Sequence, residues 1–221
     1  MSEDILIPKM TRVSRQKRKL RIPLINFVVV IFGTLLLVGA SFLNIDIKHY
    51  IIPAEIFSNK NVALDDFIFS FYLIPQIPAV MFICSALGKK MSITSITLYI
   101  LAGLAFLPVF ALGGGIRYIF EYGFGYILAY IPAAAIAGNL LGKRYSFLDM
   151  IKAVLAGVLF IHAAGIIYMC LIALIKHSGS GFITGWISAQ SGLKIIYDII
   201  ASFVLMLPGK YIHKFLTFIL E

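Results

Sequence analysis

Charged side chains are scarce in this sequence. Only 13% of the 221 residues are charged, whereas 61% are hydrophobic, and the mean hydropathy is +0.97. A soluble domain is usually about half apolar and about a quarter charged. This chain has too little polar surface to cover a soluble core, so the composition predicts an integral membrane protein with one domain.

Cysteine is almost absent, and the motifs of common catalytic sites are missing. Cys84 and Cys170 both lie in apolar runs, where they predict neither a disulfide framework nor a metal site. The sequence shows no paired carboxylates, no H-E-x-x-H, no Ser/His/Asp set and no Walker A motif. We therefore expect no enzyme activity, no ATP hydrolysis by this chain and no cofactor.

Positive charge is concentrated near the N-terminus. The formal net charge is +9, and seven of the 19 basic residues lie between Lys9 and Arg21. No stacking aromatics interleave them, so nucleic-acid binding is not expected. Residues 1–23 are predicted to form a basic cytoplasmic tail that touches anionic lipid headgroups. We expect no cleaved secretory signal, because the apolar run behind the tail is too long and no A-x-A-like site follows it.

Six apolar runs are long enough to cross a membrane, which takes about 20 residues. They predict an all-α integral membrane domain over residues 24–221, with transmembrane helices at 24–44, 67–88, 91–112, 124–142, 153–175 and 186–207. With the N-terminus inside, fourteen basic residues fall in cytoplasmic segments and four in outer ones, which are Lys48, Lys60, Arg117 and Lys176. This bias predicts that both termini are cytoplasmic.

The connections between the runs differ in character. The segment from Asp46 to Asp66 is the longest outer connection, and we expect it to fold over the outer mouth as a lid. The short GKK turn at residues 88–90 predicts that the second and third helices are antiparallel neighbours. Ala129, Ala133 and Ala137 recur every four residues and predict close helix packing within the bundle.

Charge inside an apolar run is costly and is a functional hypothesis by default. Lys194 and Asp198 are four residues apart in the sixth run, which puts them on one helical face. They form either a mutually neutralising pair or a ligand-binding pair in a polar pocket, and the second interpretation is favoured. His162 in the fifth run is expected to form a hydrogen bond across helices rather than to act in catalysis.

Two further segments carry candidate site residues. Three consecutive glycines, Gly113 to Gly115, permit close backbone approach, and Arg117 after them either holds a ligand carboxylate or pairs with Glu121. Gln76 lies between Pro75 and Pro78, which are expected to disturb the helix. Its side chain therefore either contacts a polar ligand or satisfies the freed backbone groups.

The middle of the chain resembles the substrate-binding component of biotin transporters, the BioY family of energy-coupling-factor transporters. Residues 76–111 read QIPAVMFICSALGKKMSITSITLYILAGLAFLPVFA. The family shows a Gln, a Leu-Gly before a short basic turn, a Tyr, a Gly and a Leu-Pro-Val-Phe-Ala block. A glycine-rich stretch, a Gly-Tyr pair and an Asp in the last helix follow. The matching positions are Gln76, Leu87, Gly88, Tyr99, Gly103, Leu107 to Ala111, Gly113 to Gly115, Gly125, Tyr126 and Asp198.

This resemblance implies a six-helix protein of the bacterial cytoplasmic membrane that captures biotin from outside. It implies as partners a transmembrane coupling subunit and two ATPase subunits. From the chemistry of biotin, we expect Asp198 and Gln76 to contact the ureido ring and Lys194 or Arg117 to contact the carboxylate. Walls would come from Phe110, Tyr126 and Tyr168, beside the glycine loop Gly113, Gly114 and Gly115. The family's lysine three residues after the aspartate is replaced here by Ala201, while Lys194 lies one turn earlier.

Two alternative functions and the oligomeric state remain open at this point. The same architecture would also suit another vitamin or a biotin precursor. A membrane assembly protein without transport activity is a second alternative. The protein would work alone, as a homo-oligomer or only with its partner subunits.

Overall fold

Helices make up most of the chain in the computed structural model, which describes residues 24–50, 52, 64–105, 107–142 and 145–220. The predicted basic tail, 1–23, lies outside the described residues. The elements are α1 (Leu24–Ser41), β1 (Ile45–Tyr50), β2 (Ile68–Leu73), α2 (Gln76–Leu104), α3 (Phe124–Leu141), α4 (Phe147–Ile175), α5 (Ser180–Ser191) and α6 (Lys194–Leu220). Short 3₁₀ helices cover Leu64–Phe67 and Ile116–Phe120.

Five helical stretches of the described chain are long and apolar enough to cross a membrane, with α5 and α6 counted together. Large apolar side chains such as Phe32, Leu171 and Phe215 lie exposed on the helix surfaces. Exposed apolar faces are expected where helices contact lipid, because a helix satisfies its own backbone groups. The predicted class of a mostly helical membrane protein is confirmed.

Helix α2 reverses direction in its middle. Gly88 has φ 73° and ψ 171°, which is outside the helical region and is readily adopted only by glycine. The side chain of Gln76 donates a hydrogen bond to the Tyr99 hydroxyl at 3.1 Å, although the two residues are 23 positions apart. In a straight helix they would be about 35 Å apart. Residues 76–87 and 89–104 are therefore antiparallel neighbours, as the GKK turn predicts.

A β-hairpin replaces the beginning of the second predicted span, so the bounds 67–88 are wrong. Strand β2 pairs antiparallel with β1, with Ile45 opposite Leu73 and Tyr50 opposite Ile68. The sequence Ile-Phe-Ser-Phe-Tyr-Leu favours a strand because aromatic and β-branched side chains fit a pleated surface. The helix begins only at Gln76, so Pro75 and Pro78 mark its start instead of disturbing its interior.

The predicted lid, Asp46 to Asp66, falls partly in this hairpin. Residues 46–50 belong to β1, where the side chains of Lys48 and Asp46 form an ion pair at 3.4 Å. Much of the remaining connection, residues 51 and 53–63, lies outside the described residues. The hairpin gives the expected all-α fold a small sheet at one end.

Other predicted bounds differ from the observed ones for local reasons. The first helix ends at Ser41 and the third run ends at Leu104, before Pro108 and the triple glycine. Helix α4 begins six residues earlier than predicted, since the Ser146 hydroxyl caps it by accepting from the Asp149 backbone N–H. The sixth run splits between α5 and α6 around Gly192, whereas α3, at Phe124–Leu141, nearly coincides with the fourth run.

Small residues allow the helices to pack closely. Gly125 of α3 lies against the Tyr168 side chain of α4, and Gly165 of α4 lies against the Tyr126 ring of α3. Gly209 of α6 lies against Ser85 of α2, where a Cβ would overlap the serine hydroxyl. The predicted row Ala129, Ala133, Ala137 is buried within this single chain, which confirms its internal use.

Replacing Gly209 by alanine tests the packing of α6 on α2. We expect Gly209→Ala to lower the free energy of unfolding by about 1–3 kcal/mol, because the added methyl group forces two helices apart. The matched control is Gly39→Ala in α1, where no atom lies within 4 Å of the added Cβ. Unfolding in mixed detergents measures both, and equal stability of the two variants would contradict the packing.

Candidate functional site

Gln76 joins three parts of the bundle through its side-chain amide. Its Nε2 donates to the Ser41 Oγ at 2.6 Å and to the Tyr99 hydroxyl at 3.1 Å, and Tyr130 donates to its Oε1 at 2.9 Å. Ser41 and Tyr99 also share a hydrogen bond at 2.8 Å. These four buried residues, from α1, both halves of α2 and α3, form the Gln76 cluster.

A second group of polar residues joins α3, α4, α5 and α6. His162 Nδ1 lies 2.9 Å from the Ser191 hydroxyl, and its Nε2 lies 3.1 Å from Asp198 Oδ2. The Tyr126 hydroxyl is 2.5 Å from the same Ser191 hydroxyl. We call Tyr126, His162, Ser191 and Asp198 the His162 cluster. Its histidine forms cross-helix hydrogen bonds, as expected from the sequence.

A cavity lies between the two clusters, at the end of the bundle that carries the β-hairpin. The volume open to the centres of water-sized molecules is about 90 Å³. Its walls combine neutral polar groups, the lysine Lys194, aromatic rings and aliphatic side chains. The lining residues are Ile74, Gln76, Ile77, Ala111, Tyr118, Gly123, Tyr126, Ile127, Tyr130, His162, Trp186, Gln190 and Lys194.

Lys194 and Asp198 contact different neighbours, so they do not form the mutually neutralising pair that is the less favoured of the two interpretations. The ammonium group of Lys194 donates to Gln190 Oε1 at 3.2 Å, whereas Asp198 is fully buried against His162. No Lys194–Asp198 pair within 4.0 Å occurs in the described part of the chain. Lys194 is the first residue of α6, and helical side chains lean towards the N-terminus, which directs it back to α5.

The buried face of α6 leaves two polar atoms without a partner in the described structure. These are the second carboxylate oxygen of Asp198, Oδ1, and the hydroxyl of Ser202 one turn later. Both side chains are fully buried. Unpaired buried polar atoms are costly, so this face has unused capacity to hold a water molecule or a ligand donor.

The glycine segment, Gly113 to Gly115, builds a turn and does not line the cavity. Gly113 and Gly115 have φ of 117° and 95°, and a Cβ on Gly114 would overlap the Leu107 carbonyl oxygen. The turn places Phe110 against Tyr99, with ring centroids 5.3 Å apart. Phe110 is fully buried behind the cavity wall. These residues therefore support the site from behind.

Arg117 and Tyr168 also lie apart from the cavity lining. Arg117 is exposed, and within the described residues it makes no ion pair with Glu121. Tyr168 packs on Gly125 and donates a hydrogen bond to the Ile119 carbonyl oxygen. Of the ten predicted ligand-binding residues, the lining contains Gln76, Tyr126 and Lys194, while Asp198 contacts the lining residue His162.

Sequence reasoning missed most of the residues that line the cavity, among them Tyr118, Tyr130, Trp186 and Gln190. Tyr130 lies one turn after Tyr126 on α3, a spacing that places both phenols on one face. Trp186 is the single tryptophan of the chain, and Gln190 follows it by one turn of α5. Burial raises the pKa of Tyr118, so its hydroxyl stays protonated and available as a donor at neutral pH.

Three comparisons with known proteins agree with one another. The chain matches the sequence model described as the BioY family over residues 13–218. It is 32% identical over 102 residues to the "Probable biotin transporter BioY" of Lysinibacillus sphaericus. This aligned region covers 44% of this chain and 52%, about half, of that protein. It resembles the crystal structure of the S-component for biotin from an ECF-type ABC transporter, with a TM-score of 0.62 and 19% sequence identity. The superposition covers 86% of this chain and 92% of that chain. At this identity the likeness shows a shared fold.

The contact between His162 and Asp198 is testable by a double-mutant cycle. His162→Leu leaves a buried carboxylate without its partner, so we expect a loss of about 3–5 kcal/mol of unfolding free energy. Adding Asp198→Leu removes the stranded charge and should cost less than the sum of the two single losses. Unfolding in mixed detergents measures all four states. Strictly additive losses would contradict the contact.

Proposed function

The chain belongs to the BioY family, and from this premise we propose that it captures biotin outside the cytoplasmic membrane as the substrate-binding component of an energy-coupling-factor transporter. The family match covers nearly the whole chain. A relative matched over half its length is named a probable biotin transporter, and a solved S-component for biotin has this fold. As a transporter component of this family, the chain acts in uptake and catalyses no reaction of its own.

The observation that carries the proposal is the chemical content of the cavity. Biotin has a ureido ring that needs neutral donors and acceptors, an apolar thioether ring and chain, and a carboxylate that needs a cation. In the cavity, Gln76 and Tyr130 suit the ureido ring. Ile77 and Trp186 suit the apolar ring and chain, and Lys194 suits the carboxylate. Small-molecule sites combine apolar walls with a few placed polar groups in this way.

The remaining predicted contacts take supporting roles in this proposal. Asp198 acts through His162. One ring nitrogen of His162 contacts Asp198 and the other contacts Ser191, so the imidazole has a fixed orientation at the cavity wall. Phe110 packs the glycine turn against Tyr99, and Tyr168 packs α4 against Gly125 of α3. Both contacts support the cavity lining from behind. Arg117 is exposed and is assigned to the outer surface instead of the ligand carboxylate.

We further propose six membrane crossings with both termini in the cytoplasm. They are α1, the two antiparallel halves of α2, α3, α4 and α6, while α5 covers the outer half of the bundle. Residues 76–87 rise only about 18 Å from the turn at Gly88, so the cavity beside Gln76 would lie within the outer half of a core about 30 Å thick. A coupling subunit and two ATPases would complete the transporter, with biotin arriving from outside.

Reporter fusions test this orientation. Alkaline phosphatase fused after Lys176, between α4 and α5, should be active because that connection would face outward. The same reporter fused after Gly142, between α3 and α4, should be inactive, and a fluorescent protein at the C-terminus should be bright. The control is equal expression of each fusion by immunoblot. The reverse pattern of activities would contradict the orientation.

Direct binding tests the ligand assignment. We expect calorimetry to show biotin binding to the purified protein, and Lys194→Met to weaken it by about 10- to 100-fold, because a charged hydrogen bond contributes about 1.5–3 kcal/mol. Lys210→Met is the matched control, because Lys210 lies on the same helix and outside the cavity lining.

The outcomes separate the candidate functions. Tight binding of another vitamin or a biotin precursor without biotin would keep the architecture and overturn the ligand. Unchanged biotin affinity in Lys194→Met would overturn the assigned carboxylate contact. A purified, folded protein that binds none of these compounds would favour the assembly role instead.

A further inference from the structure

A second cavity adjoins the first beneath the β-hairpin. It lies between β2 and the junction of α5 with α6, and its volume of about 300 Å³ is more than three times the 90 Å³ of the first. Ser70 and Phe71 of β2 form one side, and Ser188 of α5 with Leu193 forms the other. This second cavity is not needed to explain how biotin itself would be held.

The two cavities share two side chains. Gln190 and Lys194 line both of them, and the Lys194 ammonium group donates to Gln190 Oε1 at 3.2 Å. The α-helix is broken between them, at Gly192, so their backbones belong to separate helices. The partition is therefore built from long side chains, which change rotamer far more easily than a helix moves.

The position of Lys194 sets the direction of a ligand. It is the one lysine or arginine among the lining residues of the first cavity in the described chain. A bound carboxylate would meet it at the partition, with the ring system directed towards Gln76 and Tyr130. A group attached to the carboxyl carbon would then point away from the first cavity and into the second.

We propose that the protein also binds biotin linked through its carboxyl group to the side-chain amine of lysine (biocytin). This inference rests on the proposed biotin function and extends its substrate class to carboxyl-linked amides. The amide oxygen would accept from Lys194, and the amide N–H would donate to Gln190. The lysine methylenes would pack on Phe71 and Leu193, while its polar end would reach the hydroxyls of Ser70 and Ser188.

The decisive experiment compares two ligands on two variants. Calorimetry with biotin and with biocytin is run on the wild-type protein and on Ser188→Trp, which fills the second cavity from an exposed position. We expect wild-type affinities within about tenfold of each other. In Ser188→Trp, biocytin should bind at least about tenfold more weakly, whereas biotin binding should stay unchanged.

Thr184→Trp is the matched control, because Thr184 lies one turn earlier on α5, is exposed and lies outside the lining of both cavities. It should leave both affinities unchanged. Biotin binding without biocytin binding in the wild type would overturn the inference and leave the biotin function intact. Equal effects of Ser188→Trp on both ligands would also overturn it. If the wild-type protein binds neither ligand, the biotin function is overturned as well.

Discussion

The side-chain amide of Gln76 is the interaction on which the arrangement of the site depends. A buried amide without partners costs several kcal/mol in an apolar environment, so the surrounding helices must supply hydrogen-bonding groups. Ser41, Tyr99 and Tyr130 supply them from three other segments. The amide thereby fixes α1, both halves of α2 and α3 at one depth, and that depth is where the cavity opens.

On the other side of the cavity, a buried carboxyl group needs hydrogen-bonding partners in the same way as the amide does. Asp198 has no exposure, and His162 of a different helix provides its hydrogen bond. Ser191 and Tyr126 continue this network to α5 and α3. Two polar clusters on opposite walls therefore hold all six helices, α1 to α6, together and leave polar groups facing the cavity between them. The polar groups that stabilise the bundle and those that suit a polar ligand are largely the same residues.

The sequence predicts the parts of this structure that depend on composition and local pattern. Hydropathy and charge indicate the membrane class. The Gly-Lys-Lys sequence at residues 88–90 predicts the turn at Gly88, and α3 has nearly its predicted bounds. The strand β2 was mistaken for helix because an apolar run of six residues carries little periodicity. The partner of Asp198 was missed because helical spacing favours Lys194, whereas the actual partner is 36 positions away. Contacts at that separation depend on the tertiary fold.

The central claim is that biotin occupies the cavity between the Gln76 and His162 clusters. Trp186, the single tryptophan, lines this cavity, so its emission reports occupancy without a label. The most direct test is a biotin titration followed by tryptophan fluorescence and by quenching with acrylamide. The account predicts a saturable change in emission and reduced quenching, both with one biotin per chain. Biotin binding by calorimetry that leaves Trp186 emission and quenching unchanged would contradict it.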